Sequence, residues 1–203
     1  MIKHLLRLIF IAFIGIFTSC AATYKKINPR NLNYPLTEND SAFSYQYHVI
    51  RRAGNRKLAK KEDKARMRVV AVKIYNNTGQ TLEYGKNFGI FTGNTEINLY
   101  SPAIASENIR QTAPLYLLYL LLTPMQFNVT TENSSNSTPI GLFIGPALAL
   151  GNMAVAATAN KRFKEELIEY DLFNRPIANG EIVYGLITLN ENGFLPLTLK
   201  MTR

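Results

Sequence analysis

Apolar residues fall into four patterns along this 203-residue chain, and each predicts a different kind of segment. The first is a continuous run from Leu8 to Phe17, preceded by Lys3 and Arg7. The second is alternation with a period of two, as in Phe43-Ser-Tyr-Gln-Tyr-His-Val and Val69-Val-Ala-Val-Lys-Ile-Tyr. Alternation places Phe43, Tyr45, Tyr47 and Val49 on one strand face, with His48 on the opposite, solvent-facing side. It likewise sets Val70, Val72 and Ile74 against Ala71, Lys73 and Tyr75, ahead of an Asn-Asn-Thr-Gly turn.

Shorter strands are expected at 81–84, 88–92 and 96–100, separated by Gly85 and Gly93-Asn94. Residues 180–189 and 194–201 flank Asn190-Glu-Asn-Gly193 and read as a hairpin. Many short strands with closely spaced turns argue for an antiparallel sandwich.

The third pattern is a nearly uncharged middle. Pro114 to Thr123 is almost wholly apolar, residues 128–138 are polar and read as a loop, and 139–160 again lack charge. From Lys161 the fourth pattern begins, with Phe163, Leu167 and Tyr170 at helical spacing. An apolar α-helical hairpin inserted at about 112–173 is the expectation. Gly141, Gly145 and Ala149 repeat every four residues, a spacing used where helices pack closely. The first arm is about 15 Å long as a helix, half of a hydrocarbon core of about 30 Å, and Pro139 and Pro146 interrupt the second. A hairpin packed on the sandwich or touching the bilayer is therefore expected over a membrane-spanning pair.

The opening run is long enough for a signal core and short for a span of about 20 residues. Its close, Thr18-Ser19-Cys20, resembles the lipobox of bacterial lipoproteins, although Phe17 stands where that motif more often has an aliphatic residue. The resemblance implies cleavage after residue 19 and a diacylglyceryl thioether with an amide-linked acyl chain, such as palmitate, on Cys20. Two or more chains give the durable attachment that a single chain does not. Ala21 and Ala22 follow without an inner-membrane retention aspartate, so the default address is the outer membrane, facing the periplasm. Residues 20–42 are polar, contain Pro29 and Pro35, and read as an extended lipidated tether to a domain over 43–203.

Composition narrows the chemistry. Cys20 is the only cysteine, so once acylated it leaves no thiol for a disulfide, a metal-thiolate site or a nucleophile. His48 is the only histidine beyond the signal. No His-Glu-x-x-His, Gly-x-Ser-x-Gly, phosphate-binding glycine loop or Ser-x-x-Lys array occurs, and no catalytic residue, cofactor or metal ligand is assigned. Glu165, Glu166, Glu169 and Asp171 read as a solvated helix face.

The net charge of +9 becomes +7 without Lys3 and Arg7, leaving 21 basic against 14 acidic residues. Residues 51–68, with nine basic and two acidic side chains, carry all of that excess. The plain expectation is a solvated, partly mobile connection between strands. The functional one is contact of Arg51, Arg52, Arg56, Lys57, Lys60, Lys61 and Lys64 with anionic lipid, acidic glycan or an acidic envelope protein. Nucleic acid conflicts with export, and no aromatic residue interleaves with these charges to stack on bases.

The Val-Ala-Val-Lys-Ile-Tyr-Asn-Asn-Thr strand, Gly180-Glu181 leading into Val183-Tyr-Gly-Leu-Ile, and Pro196-Leu-Thr-Leu-Lys resemble immunoglobulin-like sandwich domains of small bacterial lipoproteins. That resemblance implies a mainly β fold and a structural or partner-binding role without catalysis. The alternative is a glycan- or small-molecule-binding module, with enzymatic activity included in that class.

Overall fold

The structure is a computed structural model that describes residues 20–38, 42–131, 134–173, 175–191 and 193–202. Residues 1–19, read above as a signal, lie outside the described residues. The described chain forms two compact units. One comprises Tyr24–Gln111 with 160–202, and the other Thr112–Ala159 with 20–23.

Among its described residues the larger unit has eight strands in two antiparallel sheets. The five-stranded sheet has the order β1 (Leu36–Glu38), β2 (Phe43–Gln46), β3 (Arg68–Tyr75), β9 (Ile182–Leu189), β6 (Leu99–Tyr100). The three-stranded sheet runs β10 (Thr198–Met201), β4 (Phe88–Thr92), β5 (Thr95–Glu96). Phe43 and Tyr45 of β2, Val70, Val72 and Ile74 of β3, Val183 and Ile187 of β9, and Phe88 and Ile90 of β4 share one buried cluster. The period-two pattern of Val69–Tyr75 therefore points its large residues where alternation predicted. A mixed, mainly antiparallel β architecture with helices is established.

The other face of β3 is also dry: Val69 and Ala71 are fully buried. Two helices lie against this strand, α1 (Val49–Arg52) and α2 (Arg56–Ala65), and a 3-10 turn at Pro29–Asn31 lies against β9. A third helix, α3 (Pro102–Asn108), contacts α2 and β6. Leu172 fills the space over Gly185, where an added Cβ would come within 2.7 Å of the leucine Cγ.

Several expectations are corrected. Residues 51–68 are two ordered helices rather than a mobile connection, because Leu58, Ala59 and Glu62 recur at helical spacing and are buried. The strand from Phe43 stops at Gln46, and Val49 is buried in α1. His48 is exposed as expected, but at φ 62 in the turn before α1 rather than on a strand. Residues 81–84 make isolated bridges only, and 96–100 divides between the two sheets.

β9 and β10 do not form a hairpin. β9 is bonded to β3 on one side and β6 on the other, and β10 joins β4 in the second sheet. The Tyr47 hydroxyl donates to the Leu195 carbonyl at 2.8 Å, and the Leu197 N–H donates to the Tyr45 hydroxyl at 3.1 Å, so side chains satisfy backbone groups between β9 and β10.

The stretch read as an extended tether is docked from Tyr24 onward. Tyr24, Ile27 and Pro29 are buried, and 36–38 form β1. Glu166, on the long helix α4 (Gly141–Glu169), holds this stretch. Its buried carboxylate accepts from the Tyr24 hydroxyl, from the Asn28 N–H at 2.8 Å and from the Ile27 N–H at 3.1 Å. Phe163 packs at an angle to Tyr24, with ring centroids 5.7 Å apart. The Asn55 amide clamps Lys25 from a second side, accepting from its N–H at 2.8 Å and donating to its carbonyl at 2.7 Å. Replacing Glu166 by Ala leaves two buried donors and one part-buried donor without this acceptor, at a cost of about 1–3 kcal/mol for each buried one. The expected result is faster tryptic cleavage after Lys25, Lys26 and Arg30, read by mass spectrometry; unchanged cleavage would show that Glu166 does not hold the segment.

Candidate functional site

The smaller unit is built around a 3-10 helix, Ala113–Leu122, with three residues per turn. Positions three apart therefore eclipse, and Ala113, Tyr116, Tyr119 and Leu122 all lie in one cluster with Ala149 and Ala156 of α4. The two tyrosine rings are parallel within 2°, centroids 6.4 Å apart. Burial raises the Tyr116 phenol above its ordinary value, with Tyr119 and Cys20 adding to the shift.

The small-residue repeat of α4 serves this packing. A Cβ on Gly141 would lie 2.1 Å from the Leu122 carbonyl oxygen, and one on Gly145 would lie 3.0 Å from that of Tyr119. Ala149, the third member of the repeat, is fully buried. Between the two arms, β7 (Phe127–Thr131) and β8 (Ser134–Thr138) pair antiparallel where a polar loop over 128–138 was expected.

Satisfying one face of the 3-10 helix leaves the others apolar and uncovered. Leu118, Leu121, Phe127, Leu142, Phe143 and Leu150 are between 54 and 75 % exposed. By length and composition α4 could cross a bilayer, and only 22 % of its apolar window is buried. A helix apolar on all sides belongs in a core or in lipid, and here only one side is in the core.

Cys20 is exposed and lies in this unit. Its neighbour Ala21 packs on the tyrosine cluster and donates its N–H to Asn152 Oδ1 at 2.6 Å. Asn152 in turn donates to the Leu148 carbonyl at 2.8 Å, which fixes its amide. Nothing in the sequence pattern signalled this hydrogen bond, since Asn152 reads as one polar residue in an apolar helix.

The predicted basic residues divide between two helices. Arg51 and Arg52 are on α1, while Arg56, Lys57, Lys60, Lys61 and Lys64 are on α2. Arg51 bonds Asp63 at 3.1 Å, and the largely buried Arg68 bonds the same carboxylate at 3.0 Å. These groups, with His48, Arg52, Glu62 and Phe194, line a cleft of about 490 Å³. Arg68 lies 4.9 Å from the Phe194 ring centroid, and His48 at 4.2 Å. Desolvation lowers the His48 pKa, and Arg51, Arg52 and Arg68 lower it further. The single Asp63 carboxylate thus serves two guanidinium groups.

Glu165 and Glu169 are exposed as expected, but Glu166 is buried. Its position three residues after Phe163 and one before Leu167 was the available signal that it shares their buried face. Among the described residues, no group of three or more His, Cys, Asp or Glu side chains is placed to hold a metal ion. No protein-family model, curated protein or solved structure matches the chain.

Glu62, beneath the cleft, accepts from the Val69 N–H at 2.7 Å. Burial is the largest influence on its carboxyl and pushes it from 4.5 up to about 7, against lowering by the Val69 N–H and Arg68. Below pH 4.5 the group is neutral in both folded and unfolded chains. As pH rises from there through about 7, the unfolded chain releases its proton first, so folding stability falls by about 3 kcal/mol and then levels off. Glu62→Gln keeps an acceptor for Val69 and should remove that decline, matching the parent chain at pH 4.5 and exceeding it at pH 8 in denaturant unfolding. An unaltered pH dependence would assign the decline elsewhere.

Proposed function

We propose that this is a lipid-anchored cell-envelope protein, acylated at Cys20, with a structural or partner-binding role. Its smaller unit meets the bilayer and its sheet unit is presented outside the cytoplasm, by default in the periplasm from the outer membrane. The observation that carries the reading is the place of Ala21. The residue next to the attachment point is hydrogen-bonded into the unit whose outer surface is exposed leucine and phenylalanine. Water is a poor solvent for such a surface, at roughly 25 cal/mol per Å² of apolar area. Acyl chains beside it offer a better one.

An immunoglobulin-like relationship is part of this proposal. Two antiparallel sheets sharing one cluster, with the last two strands in different sheets, support it. The competing reading, a glycan- or small-molecule-binding module, would use the cleft beside Phe194. The pairing of Arg51 and Arg68 with Asp63 favours the anchored, non-catalytic reading.

Substitution Cys20→Ala tests the anchor. The variant is expected to lose incorporated fatty acid and to shift from the membrane fraction into the soluble or precursor pool. Unchanged lipid labelling would overturn acylation at this residue.

A further inference from the structure

The cationic side of α2 and the lipid attachment point are joined by a short, defined length of chain. At about 100° per residue, Arg56, Lys60, Lys64, Lys57 and Lys61 fall within an arc of about 140°. Leu58, Ala59 and Glu62 occupy the opposite side and are buried. The acid bordering the arc, Asp63, is held by Arg51 and Arg68. Arg56, Lys60 and Lys64 are exposed and Lys57 and Lys61 half-buried, so the outward arc is basic, with Asp63 at its edge.

Asn55 immediately precedes α2, and its amide is bonded on both sides to the Lys25 backbone. Lys25 is five residues beyond Cys20, a distance of at most about 18 Å even when the chain is fully extended. The docked segment thus removes the slack that an extended tether would have had.

We propose that the face of α2 formed by Arg56, Lys57, Lys60, Lys61 and Lys64 binds the anionic headgroups of the bilayer in which Cys20 is anchored. The position of this surface rests on acylation of Cys20; its charge does not. Each basic side chain near an anionic membrane strengthens attachment roughly fivefold, an effect that salt screens over about 10 Å. The same attraction is weak for a freely diffusing protein. Attachment at Cys20 makes it intramolecular, with an effective concentration in the millimolar range for a short link. Because α2 covers β3 on the side away from β4 and β10, headgroup binding leaves the three-stranded sheet accessible to a partner.

The test uses the acylated full chain in vesicles of phosphatidylcholine alone and of phosphatidylcholine with phosphatidylglycerol. Lysine reactivity toward an amine-acylating reagent is mapped by peptide mass spectrometry. Lys57, Lys60, Lys61 and Lys64 should react several-fold more slowly on the anionic vesicles, and high salt should abolish the difference. Lys86, in the turn before β4, should react equally on both. Equal reactivity of the α2 lysines on the two vesicles, with the protein bound to both, overturns headgroup binding and leaves the acyl anchor intact; an acidic protein would then be the better partner for this face. Failure to enter either vesicle overturns the anchor, and the position of α2 with it.

Discussion

Glu166 places a carboxylate out of water, and three donors from one short segment converge on it: the Tyr24 hydroxyl and the amides of Ile27 and Asn28. Desolvating a carboxylate costs several kcal/mol, and hydrogen bonds to a charged acceptor contribute about 1.5–3 kcal/mol each. The three donors together offset that cost. Residues 24–28 are held by this constraint, and Asn55 repeats it from the side of α2. The two clamps determine where the folded unit begins. Tyr24 is four residues beyond Cys20, about 14 Å of chain at most.

A second constraint operates on the smaller unit. A 3-10 helix with an apolar residue at almost every position can bury only one of its three faces against a single neighbour. The glycines of α4 allow that neighbour to approach backbone to backbone, which consumes the small-residue repeat inside the unit. What remains outward is leucine and phenylalanine. In the larger unit the surplus is electrostatic: α2 buries an apolar stripe on β3 and leaves a band of lysine and arginine outside. Each unit thus carries its own surplus, apolar in the smaller and basic in the larger.

The strands were readable where alternation was strong. Val69–Tyr75 emerged with its inward residues correctly assigned because β-branched side chains at period two have few other solutions. Pairing was less readable. β9 looked like a hairpin partner of β10 because the turn residues between them were suitable, yet both of its edges are taken by β3 and β6. The basic stretch concealed a helix, since counting charge drew attention away from Leu58, Ala59 and Glu62 at helical spacing. The docking of residues 24–28 was invisible for a different reason: it depends on Glu166 and Asn55, remote in sequence and unremarkable by type. Local chemistry singled out Cys20 as the proposed attachment point, but nothing local signalled the Ala21–Asn152 hydrogen bond next to it.

The account stands on Cys20 as the acylated first residue of the mature chain. The intact mass and fragmentation of the amino-terminal peptide, taken from protein extracted from its own membrane, test this most directly. The expected peptide begins at Cys20 and carries a diacylglyceryl group on sulfur with a further acyl chain on the amine. A peptide beginning elsewhere, or an unmodified thiol at Cys20, would contradict it.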